Sequence, residues 1–125
     1  MQPNAGRITT HVLDTSKGAP ALGVRIELYF IKWSGNEWNA LKMAESLTNS
    51  DGRLNEPLLH EGKLEVGEYE LRFDVKRYFA QDAQTDMTHV LWTEVPIRFA
   101  VRDTGGHYHI PLLIAPGGYS TYRGS

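Results

Sequence analysis

The chain has 125 residues, no cysteine and a formal net charge of −2. That length fits one domain and not two, and the missing thiols exclude disulfides, thiolate metal sites and a cysteine nucleophile. At 41% hydrophobic and 22% charged residues the composition is that of a globular domain, with no basic excess to attract nucleic acid and no apolar run long enough for a bilayer. The residues from Met1 to Gly6 lack the charged-then-apolar pattern of a secretory leader, so the cytoplasm is the expected compartment. The expected organisation is a flexible segment over 1–6 and a single domain over 7–125.

Strand patterns dominate the rest. Arg7 to Asp14 alternates, with Ile8, Thr10 and Val12 on one face and Thr9, His11 and Leu13 on the other. Val24 to Trp33 sets Val24, Ile26, Leu28 and Phe30 against Arg25, Glu27 and Tyr29. Trp38 to Thr48 contains a stretch that also suits a helix, but the short loop before it and the turn after it favour a strand paired with its predecessor. Asn49-Ser50-Asp51-Gly52 is that turn, with Gly52 suited to positive φ and Asp51 able to bond nearby backbone N–H groups. Gly67 to Val75 is a strand on which Glu68 and Glu70 read as a solvated face. Lys76 to Gln84 is the one helix, and Val95 to Val101 alternates again. After a turn at Asp103–Gly106 come His107 to Ala115 and a last short strand, Tyr119 to Arg123. Seven or eight short strands with one short helix make an all-β fold, a sandwich of antiparallel sheets.

The strand from His107 to Ala115 is apolar on both faces. Tyr108, Ile110, Leu112 and Ile114 face the core, while Pro111, Leu113 and Ala115 share the opposite face with His107 and His109. The second face requires a cover, and a second subunit is the simplest one. Of the five histidines, His60 and His89 read as polar loop residues, and His107 reads as a strand-end residue bonded to a turn. His11 interrupts a strand, and His109 lies on the two-faced one. A zinc site built on His11, His107 and His109 is weakly specified, because nothing fixes the third ligand. No GxSxG, P-loop or GxGxxG motif is present.

The run His107-Tyr108-His109-Ile110-Pro111-Leu112-Leu113 and the ending Tyr122-Arg123-Gly124-Ser125 resemble the transthyretin-like 5-hydroxyisourate hydrolases. His11-Val12-Leu13-Asp14 and Thr48-Asn49-Ser50-Asp51-Gly52-Arg53 resemble that family's N-terminal strand and central turn, and Arg77-Tyr78-Phe79 its helix start. The resemblance covers Gly6 to Ser125. It departs at Ala115-Pro116-Gly117, where the family commonly has Ser-Pro and an aromatic residue.

The resemblance implies a transthyretin-like β-sandwich of two four-stranded sheets with one short helix. It also implies a homotetramer, a dimer of dimers, with active sites in channels between subunits. The activity implied is cofactor-free and metal-free opening of 5-hydroxyisourate, in urate catabolism, to 2-oxo-4-hydroxy-4-carboxy-5-ureidoimidazoline. Carried over by motif, the catalytic residues are His11, Arg53 and His109. Arg53, Tyr122 and Ser125 would contact substrate, with Arg123 and Gly124 in support. Histidine, which titrates near neutral pH, suits water activation and proton return to the departing nitrogen, and the planar arginine suits clamping of ring oxygens. A ligand carrier of the transthyretin kind and a β-sandwich interaction module without chemistry are the competing readings. The first predicts other residues at the histidine and arginine positions and a different C-terminus.

Overall fold

A computed structural model describes residues 6–59 and 62–125. His60 and residues 1–5 of the expected N-terminal segment lie outside the described residues. Gly6, at the end of that segment, is buried, and its N–H donates to the Thr104 carbonyl at 3.0 Å.

The strands are β1 (Arg7–Thr9), β2 (Val12–Asp14), β3 (Ala19–Pro20), β4 (Arg25–Ser34), β5 (Glu37–Leu47), β6 (Gly67–Asp74), β7 (Glu94–Val101), β8 (His107–His109), β9 (Leu112–Ala115) and β10 (Gly118–Thr121). Helix α1 (Val75–Ala80) follows β6, and a 3-10 turn spans Met87–His89. Two four-stranded sheets form, in the orders β10-β9-β2-β3 and β5-β4-β6-β7. β1 and β8 form a two-stranded sheet beside the first. Ile8 of β1 and Val12, Leu112 and Ile114 of the first sheet pack with Ile26, Leu28, Tyr69, Leu71 and Phe73 of the second in one core. Burying each such side chain contributes about 1.5–3 kcal/mol.

The expected strands 7–14 and 107–115 are each divided in two, yet their pairing is unbroken. Arg7, Ile8 and Thr9 lie opposite His107, Tyr108 and His109, and Val12, Leu13 and Asp14 lie opposite Leu112, Leu113 and Ile114. The parallel register is the same before and after the gap. Pro111 has no N–H to give the ladder, which interrupts the regular pattern there. The gap is closed by Ile110 N–H to the Thr9 carbonyl at 3.0 Å and by Leu112 N–H to the His11 carbonyl at 2.9 Å. The buried Thr10 hydroxyl donates to the Ile110 carbonyl at 2.6 Å. Because register is kept, Thr9, His11, His107 and His109 all stay on the face turned away from the core.

Three expectations are corrected. The helix ends at Ala80 and not at Gln84. Asp74 caps its start by accepting from Arg77 N–H at 3.1 Å, and just beyond its end Asp82 accepts from Gln84 N–H at 2.9 Å in a turn that competes with helix. Glu70 is not solvated. It is 8% exposed and held between Arg72 Nε at 2.7 Å and Arg98 Nε at 3.1 Å. In the central turn Asn49, and not Asp51, bonds the backbone, its Oδ1 accepting from the N–H groups of Asp51 at 2.9 Å and Arg53 at 3.1 Å. Residues 37–47 are strand, as favoured, along the edge of the second sheet. No helix among the described residues is long and apolar enough to cross a membrane.

Candidate active site

Two crossing features assemble the site: the parallel pairing of β1 with β8, and the turn at 49–52. Gly52 has φ +72°, and a Cβ there would lie 2.3 Å from the Val12 carbonyl oxygen, so only glycine lets the turn press against β2. Val12 N–H donates to the Gly52 carbonyl at 2.8 Å, and Arg53 forms an antiparallel backbone bridge with His11. The arginine is thereby fixed beside the histidine by main chain.

His11 Nδ1 lies 2.8 Å from His109 Nε2, with the rings tilted by 39°. His109 Nδ1 lies 2.7 Å from the Thr9 hydroxyl, which also lies 2.7 Å from His107 Nε2. Both nitrogens of His109 are therefore engaged within the chain. Burial holds its pKa down to about 4, with further lowering from His11, Arg53 and His107. His11 is lowered by burial and then by Arg53, and His107 by burial and then by Arg7. Near neutral pH the three imidazoles are uncharged and can each donate one proton and accept one.

The C-terminus closes over this cluster. Gly124 N–H donates to the His109 carbonyl at 2.8 Å. A Cβ on Gly124 would lie 2.4 Å from His109 Cδ2 and 3.1 Å from Pro111 Cγ, so the tail backbone lies flat on the imidazole. Part of the cover expected from a second subunit thus comes from the chain's own end, over His109 and Pro111. Leu113 and Ala115 remain partly exposed.

A cleft of about 260 Å³ opens beside the cluster, lined by Arg7, Thr9, Arg53, Glu56, His107, His109 and Ser125 among others. Of the residues named from the sequence, Arg53, His109 and Ser125 line this cleft, while His11 and Gly124 join the cluster through their contacts with His109. Tyr122 and Arg123 do not. They line a separate depression with Phe99 and Tyr108, where the Arg123 guanidinium sits 4.8 Å from the Tyr108 ring centre. Thr9 and His107 were missed as members of the cluster. His107 is not bonded to a turn, because it pairs with Arg7 in β8 and bonds Thr9. The signal that finds both is parity, since each stands two residues before a site histidine on the same face.

Among the described residues, no group of three or more histidine, aspartate or glutamate side chains is arranged to hold a metal ion. The facing nitrogens of His11 and His109 are in direct contact, with no room for an ion between them. What the cluster offers chemically is a neutral histidine pair, a fixed positive charge and an open cleft.

The HIUase/Transthyretin family profile matches residues 8–124. The 5-hydroxyisourate hydrolase of Halalkalibacterium halodurans is 49% identical, over 97% of this chain and 99% of its own. The solved structure of Klebsiella pneumoniae 5-hydroxyisourate hydrolase superposes with a TM-score of 0.75 at 34% identity, over 96% of this chain and 99% of its own. The crystal structure of (S)-allantoin synthase superposes with a TM-score of 0.85 at 40% identity over 100% of this chain, which spans 46% of that protein.

Proposed function

The chain belongs to the HIUase/Transthyretin family, and from that membership we propose that it is a hydrolase opening the ring of 5-hydroxyisourate in urate catabolism. The full-length relatives that carry that name support the activity. The observation that carries the mechanism is the 2.8 Å contact between His11 Nδ1 and His109 Nε2 beside Arg53.

His11 is the base. Its Nδ1 is engaged with His109, and its Nε2 serves the substrate. A water oxygen attacks the acyl carbon, its proton passing to His11 Nε2 as the new C–O bond forms. The Nδ1–H of the resulting imidazolium donates to neutral His109 Nε2, which holds the ring in place and spreads its charge. The Arg53 guanidinium faces the oxyanion that develops on the acyl oxygen. The acyl C–N bond then breaks, the departing nitrogen takes the proton back from His11, and the new carboxylic acid ionises to solvent. General acid–base assistance of this kind contributes typically about 10²–10⁴-fold in rate.

Ser125 lies at the cleft wall, where it is placed to contact substrate. Tyr122 and Arg123 lie off this cleft within one chain, so any contact they make with substrate is across an interface in the proposed homotetramer. The exposed Tyr122 ring and the half-covered Leu113 favour such an assembly. The proposed setting is cytoplasmic and needs no cofactor.

Urate oxidase acting on urate supplies 5-hydroxyisourate in situ, and its decay is followed by ultraviolet absorbance. The purified chain should accelerate that decay in proportion to its concentration. Decay at the buffer rate would overturn the proposed activity.

A further inference from the structure

We propose that Thr9 and His107 are positioning residues for this reaction: the Thr9 hydroxyl couples His107 to His109, so that the protonation of His107 decides whether His11 can act as a base. The proposal rests on the hydrolase reading for its catalytic consequence, and on the geometry of four side chains for the coupling itself.

A threonine hydroxyl has one hydrogen. The Thr9 hydroxyl stands 2.7 Å from His107 Nε2 and 2.7 Å from His109 Nδ1, and so can donate to only one of them. If it donates to His107, then His109 Nδ1 carries a hydrogen that donates to Thr9. Neutral His109 then has a bare Nε2, which accepts from His11 Nδ1–H. His11 Nε2 is left with its lone pair, the state the mechanism requires. If Thr9 instead donates to His109 Nδ1, every hydrogen in the row reverses. His107 Nε2–H donates to Thr9, His109 Nε2–H donates to His11 Nδ1, and His11 Nε2 carries the hydrogen. Both arrangements satisfy all three contacts with neutral imidazoles, and only the first leaves His11 a base.

Protonation of His107 removes the choice. A charged imidazolium has hydrogens on both nitrogens, so Thr9 must accept from it and can no longer donate to it. The Thr9 hydrogen is then free to donate to His109 Nδ1 at 2.7 Å, and that donation sets the row in the direction that disables His11. His107 is the exposed end of the row, whereas His109 is 6% exposed. The groups facing His107 are Arg7 on β1, opposite it in register, Thr9, and His109, whose ring centre is 6.0 Å away. Arg53, Glu56 and Ser125 share its cleft. Burial and Arg7 lower the His107 pKa, but the more deeply buried His109 is held down to about 4, so the exposed His107 is the first of the two to take up a proton as pH falls.

The test is nitrogen-15 NMR of histidine-labelled wild-type chain, which reports which ring nitrogen carries hydrogen. As pH falls through the titration of His107, the hydrogen of neutral His109 should move from Nδ1 to Nε2. A His109 tautomer that does not respond to His107 overturns the coupling, whether or not the chain hydrolyses 5-hydroxyisourate. Kinetics give the second measurement. T9V, close in shape but without the hydroxyl, should lower kcat by about 10–100-fold with little change in KM, as loss of an orienting partner typically does. T9S should keep most of the wild-type kcat. H107Q, which can fill the row without titrating, should move the acid limb of the kcat profile to lower pH. T9V with wild-type kcat, T9S as slow as T9V, or H107Q with an unchanged acid limb would each overturn the proposal.

Discussion

His11 and His109 stand 98 residues apart in sequence and 2.8 Å apart in space, joined nitrogen to nitrogen across a parallel strand pair. The contact depends on register as well as on the two residues themselves. A slip of one residue between β1 and β8 would send His109 into the core. Pro111 and the Thr10 hydroxyl mark the point where the ladder is interrupted without losing its count.

The tail is held by the absence of a side chain at Gly124. Gly124→Ala places a methyl group 2.4 Å from His109 Cδ2, so either the tail lifts or the imidazole turns. We expect kcat to fall by about 10–100-fold, the usual effect of disturbing an orienting partner. The melting temperature should change little, because the C-terminal residues are largely exposed. Steady-state kinetics beside a thermal melt check this, and full activity would show that the tail does not seat His109.

Stability should fall on the acid side of neutrality. The pKa of His109 drops from 6.5 to about 4 on folding, and His11 and His107 shift the same way. Between those two values the unfolded chain binds a proton that folded His109 refuses, so stability declines as pH falls from about 6.5 to about 4 and gains no further loss from this group below that. The contribution of His109 is at most on the order of 3 kcal/mol. Urea unfolding at several pH values should give a shallower slope for His109→Asn than for wild type over that interval. Equal slopes would contradict the assignment.

Asp14 is a fully buried carboxylate whose role is structural. It accepts from the Tyr78 hydroxyl at 2.7 Å and from Ser16 N–H at 3.0 Å, tying helix α1 to β2. Burial and Asp14 both push the Tyr78 phenol pKa up. Tyr78→Phe should destabilise the fold by about 1–3 kcal/mol, the cost of leaving a buried polar group short of a partner, and leave kcat unchanged. Chemical denaturation measures the first and the decay assay the second. A loss of activity without a loss of stability would place Tyr78 in the reaction path.

Arg53 is fixed by its backbone bridge to His11, and its side chain has no hydrogen-bond or ion-pair partner among the described residues. Arg53→Lys keeps the charge but not the planar fork. We expect a lower kcat/KM, with a further fall in Arg53→Met as the charge is lost. Equal kinetics for all three would remove Arg53 from oxyanion stabilisation.

The alternation of Ile8, Thr10 and Val12 against Thr9, His11 and Leu13 was enough to place His11 outside the core, and the same parity placed His109. What parity leaves unstated is which strand lies beside which. Without the pairing of Thr9 with His109, His107 looks like an isolated strand end and Thr9 like an ordinary β-former. Glu70 was misread for the same reason, because its partners Arg72 and Arg98 come from its own strand and from β7. Tyr122 and Arg123 are placed by motif alone, and beyond the end of β10 the motif is divided, with Ser125 at the cleft and the other two in a different depression. The 3-10 turn at Met87–His89, set by Asp86 accepting from Thr88 N–H at 3.0 Å, carries too little periodicity to be read.

In this mechanism the histidine pair moves the proton of the attacking water. That step is tested most directly by the turnover of 5-hydroxyisourate by His109→Asn beside the wild-type chain, with matched melts to establish that both are folded. The variant should lose about 10²–10⁴-fold in kcat. A folded His109→Asn chain that turns over substrate at the wild-type rate would contradict it.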